Sequence, residues 1–156
     1  MGVIDLAACP VKTGSIYPEP YASEVAGRSS LRLGEAAGLT QFGANLVTLE
    51  PGARSSLRHW HEAEDELVMV TEGELTLLQD EGEYTLRPGD CAAWKAGDPN
   101  GHCFHNRTDR PARFLVVGSK AARETAHYSD VDFVMHRDDG RTSFTYRDGT
   151  PWTGPR

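Results

Sequence analysis

Apolar and polar positions alternate along the middle of the chain in short runs, not in the longer period of a helix. Alternation with a period of two is typical of strands that bury one face. Turns rich in Gly and Pro separate the runs, and they lie at 50–53, 72–73, 80–82, 87–90, 95–101 and 108–112. The pattern predicts an all-β fold, either a small closed barrel or a double-sheet jelly roll. The eight runs are NLVTLE (45–50), SLRHWH (56–61), ELVMVT (66–71), ELTLLQ (74–79), EYTLR (83–87), CAAWKA (91–96), HCFHN (102–106) and ARFLVVG (112–118).

The flanks of this region carry weaker patterns. Residues 23–38 predict no more than a turn or two of helix, because Gly interrupts them repeatedly. Residues 131–137 and 141–147 predict an extra hairpin around Asp-Asp-Gly, which is either a lid, an edge strand or a dimer contact. We therefore expect an N-terminal arm (1–40) packing on the barrel, a barrel core (41–120), and a C-terminal extension with a hairpin (121–156).

Composition narrows the possible partners and the compartment. The 156 residues suit one domain, and 23 acidic against 16 basic residues give a net charge of −7, without the basic cluster that nucleic-acid binding requires. Neither a membrane-spanning apolar run nor a signal-peptide pattern is present in the sequence, so a membrane partner is not expected. Three cysteines without a CxxC pair are typical of a reducing compartment, which predicts a cytoplasmic protein.

The stretch RHWHEAEDELVMVTEG (58–73) contains a candidate metal site. On a strand His59 and His61 face the same way, and Glu66 begins the next apolar run on the face of Val68 and Val70. Two neutral imidazoles and one carboxylate suit a divalent transition metal. The acids that precede Val68 are also compatible with a solvated strand entry, so the stretch alone does not establish the site.

A fourth ligand is available in HCFHN (102–106). His102 and His105 are three residues apart, so only one of them faces the interior if this run is a strand. The residue pattern alone leaves the choice between the two open.

The two stretches together resemble the motifs of the cupin superfamily. The first motif matches at Gly52, His59, His61, Glu66 and Gly73, and the second at Gly89, Gly97, His102 and Asn106. The resemblance implies a double-stranded β-helix barrel, the jelly roll of cupins. It also implies metal ligands at His59, His61, Glu66 and His102, with Phe104 at the pocket wall and His105 on the outer face.

The chain departs from the cupin pattern near the second motif. Lys95 stands where Pro is usual, and four residues (98–101) separate Gly97 from His102. Lys95 is a candidate catalytic residue that binds a substrate anion, or else an exposed lysine at a strand end. Glu64, beside the first motif, is a second candidate catalytic residue, for proton transfer.

These residues predict a metal-dependent cupin enzyme that acts on a small polar or anionic metabolite. We favour sugar-phosphate-like isomerase or lyase chemistry. The alternatives are an oxygen-dependent cupin dioxygenase and a non-catalytic, metal-stabilised module that binds a metabolite. One divalent metal per chain is expected, and the ligands do not distinguish Fe, Mn, Ni, Co, Cu and Zn. We also expect a homodimer formed through an outward patch of Trp60, Leu67 and Met69.

Overall fold

The computed structural model describes residues 2–156 and forms sheets of six, four and three strands, of which the last two are joined by an isolated bridge. The first sheet has six antiparallel strands in the order β1-β2-β3-β10-β5-β8. Strand β10 lies near its centre and pairs with both β3 and β5. The strands are β1 (Val11–Thr13), β2 (Arg28–Leu31), β3 (Phe42–Leu49), β5 (Glu66–Glu72), β8 (Cys91–Trp94) and β10 (Ala112–Ser119).

The second sheet forms from a four-stranded and a three-stranded part, in the orders β13-β12-β11-β4 and β7-β6-β9. An isolated bridge between His59 and His102 joins the two parts through a pair of backbone hydrogen bonds of 3.1 and 2.9 Å. The strands are β4 (His59–His61), β6 (Leu75–Gln79), β7 (Gly82–Leu86), β9 (Cys103–His105), β11 (Arg123–Tyr128), β12 (Val134–Asp138) and β13 (Arg141–Thr145).

The main core lies between the sheets, on the inward positions of their strands. Val47 and Leu49 of β3 and Val68 and Val70 of β5 are fully buried, and they pack in one cluster with Leu75 of β6. Each pair is two residues apart, as the alternating pattern requires. All eight predicted runs contain a strand, and the all-β jelly-roll prediction is confirmed.

A second core fixes the chain ends to the barrel. Phe133 is fully buried and packs against the rings of Tyr17 and Tyr21, from the N-terminal segment, and of Trp152, from the C-terminal end. Aromatic pairs bury large areas and prefer such edge and tilted contacts.

The first 40 residues also include the short helices η1 (Leu6–Ala8), α1 (Tyr21–Glu24) and α2 (Leu33–Ala36). The expected turns of helix over 23–38 are therefore present, but strand β2 lies between them.

The predicted C-terminal hairpin is confirmed as β12 and β13, and β13 forms an edge of its sheet. Asp139 and Gly140 at its tip both have positive φ, at 44° and 81°, as a tight two-residue hairpin turn requires. The strand before it, β11, was not predicted, and it pairs with β4 beside the histidines. Among residues 2–156, no helix is long and apolar enough to cross a membrane.

The three residues of the expected dimer patch lie on two different sheets. Trp60 belongs to β4 and stacks on the ring of His127, with centroids 4.3 Å apart. Leu67 and Met69 belong to β5 in the six-stranded sheet, and Leu67 is 45% exposed. The homodimer stays a prediction.

Candidate metal centre

Three of the four predicted ligands, His59, His61 and Glu66, present side-chain atoms within 4.8 Å of one another. The Nε2 atoms of His59 and His61 are 3.1 Å apart, and Nε2 of His61 lies 3.4 Å from Oε2 of Glu66. Their placement follows from strand parity, since His59 and His61 are the two same-face positions of β4 and Glu66 opens β5.

His102 completes the group from the segment before β9. Its Nε2 atom lies 3.8 Å from Oε2 of Glu66, and its ring stacks on Trp94 with centroids 3.6 Å apart. The geometry therefore favours His102 over His105 as the fourth candidate ligand. His105 lies on the other side of the strand, where its Nδ1 accepts a hydrogen bond from the exposed Arg107.

Each of the three histidines has an oxygen near its Nδ1 atom, with a hydrogen bond at His59 and His102 but none at His61 within residues 2–156. His59 Nδ1 is 2.9 Å from the carbonyl of Leu57, His61 Nδ1 is 3.4 Å from Oε1 of Glu124, and His102 Nδ1 is 3.4 Å from the carbonyl of Asn100. An acceptor at Nδ1 favours the tautomer in which Nε2 carries the free lone pair. The Nε2 atoms of His61 and His102 both lie near Oε2 of Glu66, and Nε2 of His59 lies near Nε2 of His61.

This donor set fits a metal ion. Nε2 of His102 is buried and has no hydrogen-bond partner within residues 2–156, although buried polar atoms are normally paired. Three imidazole nitrogens and one carboxylate oxygen suit a divalent transition metal. Asn100 belongs to the additional loop residues 98–101, so the departure from the cupin pattern supplies an acceptor for one histidine.

The local charges act differently on the histidines. Burial, together with the neighbouring rings of His61 and His102, lowers the pKa of His59 to about 3, so that this ring is neutral. Burial also opposes a charge on His61, but the carboxylates of Glu124 and Glu66 outweigh it and raise the pKa of His61 to about 9. Burial opposes the charge on Glu66 as well, yet the neighbouring imidazoles of His102 and His61 hold its pKa well below the usual value.

The four candidate ligands line a cavity of about 390 Å³. Aromatic side chains of Phe104 and Tyr128 line it near the histidines, and Tyr17 reaches it from the N-terminal segment. Burial raises the pKa of Tyr17 to about 12, so its hydroxyl stays protonated and able to donate a hydrogen bond. A cavity of this volume admits a small metabolite beside the metal centre.

The two candidate catalytic residues lie in different surroundings. Glu64 lines the cavity with a side chain only 11% exposed, pairs with Arg137, and accepts a 2.8 Å hydrogen bond from the backbone nitrogen of Ala121. Lys95 is exposed just after β8 and is not among the cavity-lining residues. The geometry therefore brings Glu64 to the site and leaves Lys95 at the surface.

One residue beside the candidate ligands, Glu124, was not predicted from the sequence. Glu124 is almost fully buried and accepts 3.0 Å hydrogen bonds from the backbone nitrogens of Glu62 and Ala63. Asn106 of the second motif is fully buried and donates to the carbonyls of Leu49 and Arg110. A carboxylate at an inward position of a strand is the signal that identifies Glu124 in retrospect.

Comparisons with known proteins agree with this architecture. The Cupin_2 family, described as a cupin domain, matches residues 45–118. A crystal structure of a cupin-superfamily sugar phosphate isomerase from Silicibacter pomeroyi is 56% identical, covers 98% of each chain and superposes with a TM-score of 0.95. The chain therefore belongs to the cupin superfamily, as the sequence motifs implied.

Other solved structures are more distant. A protein from Acidithiobacillus ferrooxidans, for which sugar phosphate isomerase activity is only proposed, is 26% identical with 81% of each chain covered and a TM-score of 0.74. A polyketide cyclase from Streptomyces resistomycificus is 24% identical, with 76% of this chain and 79% of that chain covered and a TM-score of 0.60, which shows the fold alone. A comparison with curated protein sequences found no match.

Proposed function

We propose that the chain is a metal-dependent isomerase of a small phosphorylated sugar. One divalent transition metal would be held by His59, His61, Glu66 and His102. The observation that carries this proposal is the convergence of their ligand atoms at one end of a cavity that has room for a metabolite. The similarity to the sugar phosphate isomerase of Silicibacter pomeroyi supports the choice of substrate and reaction.

The reaction requires a proton to move between neighbouring carbons. In an aldose–ketose isomerisation, a base removes the proton from the carbon beside the carbonyl and returns it to the former carbonyl carbon. The hydroxyl proton moves to the carbonyl oxygen, so no oxidant or reductant is consumed. A bound divalent metal supplies the polarisation of the carbonyl and hydroxyl oxygens.

Glu64 is the proposed base, because it is a carboxylate in the cavity wall. Arg137 and the backbone nitrogen of Ala121 hold it in one orientation, which is a condition for efficient proton transfer. The protonated hydroxyl of Tyr17 provides a hydrogen-bond donor for a sugar oxygen. Lys95 has no role in this proposal, because it lies outside the cavity.

The test is an isomerisation assay on a panel of phosphorylated aldoses, followed by NMR, with the protein loaded with Fe, Mn, Co, Ni or Zn. We expect turnover with at least one metal and its loss after chelation. Glu64→Gln should lower kcat by about 100- to 10,000-fold while the metal content stays unchanged. Glu62→Gln is the matched control, because Glu62 is an exposed acid outside the cavity lining that pairs with His127.

Two outcomes contradict the proposal. Oxygen consumption without isomerisation would favour the dioxygenase alternative. Stabilisation by sugar phosphates without turnover under any metal would favour a non-catalytic binding module.

A further inference from the structure

A group of three cations lines the cavity from the N-terminal segment. Lys12 lies on β1, Arg28 opens β2, and Arg32 follows the end of β2. Positions 28, 30 and 32 share one face of an extended chain, and the register places Lys12 opposite Ser30 on that face. Antiparallel pairing thus brings three cationic side chains, distant in sequence, to one wall of the cavity.

These cations are poorly compensated by the protein. Arg28 donates to the carbonyl of Gly14, but its Nε atom is buried without a partner. Within residues 2–156, neither Arg28 nor Lys12 forms an ion pair, and Arg32 pairs only with Glu35, whose side chain is 59% exposed. A buried donor without a partner is costly, and a ligand acceptor would relieve that cost.

The three charges are close enough to affect one another. Burial lowers the pKa of Lys12, and the positive charges of Arg32 and Arg28 lower it further. Like charges gathered at a partly buried surface repel, and an anion bound among them converts that repulsion into attraction.

The carboxylates in the same cavity are already engaged by other groups. Glu66 faces His61 and His102, and Glu64 pairs with Arg137. Lys12, Arg28 and Arg32 therefore form a cationic wall of the cavity. Burial lowers the pKa of Arg28, and the carboxylate of Glu66 in the candidate metal centre acts in the opposite direction, so the wall lies near the candidate ligands.

We propose that Lys12, Arg28 and Arg32 bind the phosphate group of the substrate and thereby direct its carbonyl end to the metal centre. This inference rests on the proposed function, since it assigns the phosphorylated end of the same substrate. Arginine donates in a fixed fork that matches phosphate oxygens, and lysine adds a compact charge.

The experiment titrates inorganic phosphate into the full-length protein by calorimetry at constant ionic strength. Both the metal-loaded and the chelated protein are measured, because phosphate also binds metal ions directly. Lys12→Gln and Arg32→Gln should each weaken phosphate binding by about 10- to 100-fold, the usual effect of losing a charged hydrogen bond. Arg141→Gln is the matched control, because Arg141 is exposed on β13 outside the cavity lining and should leave the affinity within about twofold.

The outcomes separate this inference from the proposed function. Weaker phosphate binding in the two cavity variants supports the subsite even if no sugar phosphate is isomerised. If the wild-type protein does not bind phosphate, or if the cavity variants bind it as tightly as the wild type, the subsite is wrong. Phosphate binding that disappears on chelation would place the anion on the metal and would also overturn the inference, whatever the isomerisation assay shows.

Discussion

The Nδ1 atom of His61 lies 3.4 Å from Oε1 of Glu124, a carboxylate contributed by a strand more than sixty residues further along the chain. Two backbone nitrogens, of Glu62 and Ala63, donate to the same carboxylate and fix its position. Partners of this kind orient a ligating histidine and raise its basicity. The candidate metal centre therefore includes a supporting residue outside the two sequence motifs.

Glu124→Gln tests this dependence. The amide keeps part of the hydrogen bonding to the backbone but loses the negative charge that faces His61. We expect the metal affinity to fall by about 10- to 100-fold, with the fold retained, as measured by competition with a chromogenic chelator. Glu50→Gln, at an exposed position just after β3, is the control. An unchanged affinity in Glu124→Gln would show that Glu124 has no influence on His61.

Phe133→Ala tests whether the chain ends are part of the folded unit. Phe133 is fully buried among aromatic rings from both ends of the chain, so its truncation should lower the free energy of unfolding by about 3–5 kcal/mol. Phe42→Ala, at a position 40% exposed on β3, should change it by about 0.5 kcal/mol. Urea denaturation measures both values, and similar losses in the two variants would contradict the packing described.

Gly73 and Gly52, the two glycines of the first motif, should respond differently to alanine. Both have positive φ, at 74° and 79°, which costs an L-residue about 1–2 kcal/mol. A Cβ at Gly73 would in addition lie 2.9 Å from Cβ of Ala112 and 3.0 Å from the carbonyl oxygen of Pro111, whereas one at Gly52 meets nothing within 4 Å. Thermal unfolding should therefore show a larger loss for Gly73→Ala, and equal losses would be inconsistent with this close approach.

The three free thiols should react at different rates. Cys91 is exposed, whereas Cys9 and Cys103 are buried, and burial raises the pKa of Cys103 to about 11. Because the thiolate is the reactive form, Cys103 should stay unreactive as the pH rises from 7 to 9, and should react only near pH 11 or after unfolding. A colorimetric disulfide reagent at pH 8 should reveal one fast thiol, which Cys91→Ser removes. A fast phase that persists in that variant would contradict the assignment.

The sequence predicted the strands well because they bury one face. The alternation in ELVMVT predicted β5, and it predicted that Glu66 shares a face with Val68 and Val70. Both valines are fully buried in the structure. The ligand choice at His102 came from the resemblance to cupins, because the residue pattern alone left His105 open. Geometry now favours His102 through its contact with Glu66.

The parts of the structure that the sequence did not predict depend on pairing between segments that are distant along the chain. Strand β11 was missed because Glu124 occupies an inward position that an apolar residue normally holds. Lys12, Arg28 and Arg32 are isolated charges in sequence, and only the antiparallel pairing of β1 with β2 brings them together. Lys95 was considered for anion binding because it adjoins the second motif, yet it is exposed and lies outside the cavity lining.

Metal analysis of the protein purified without added metal tests the central claim most directly. The account predicts about one divalent transition metal per chain in the wild type, and a large loss of that metal in the double variant His59→Ala/His102→Ala. Wild-type protein that takes up no metal, or a double variant that retains a stoichiometric amount, would contradict the metal centre.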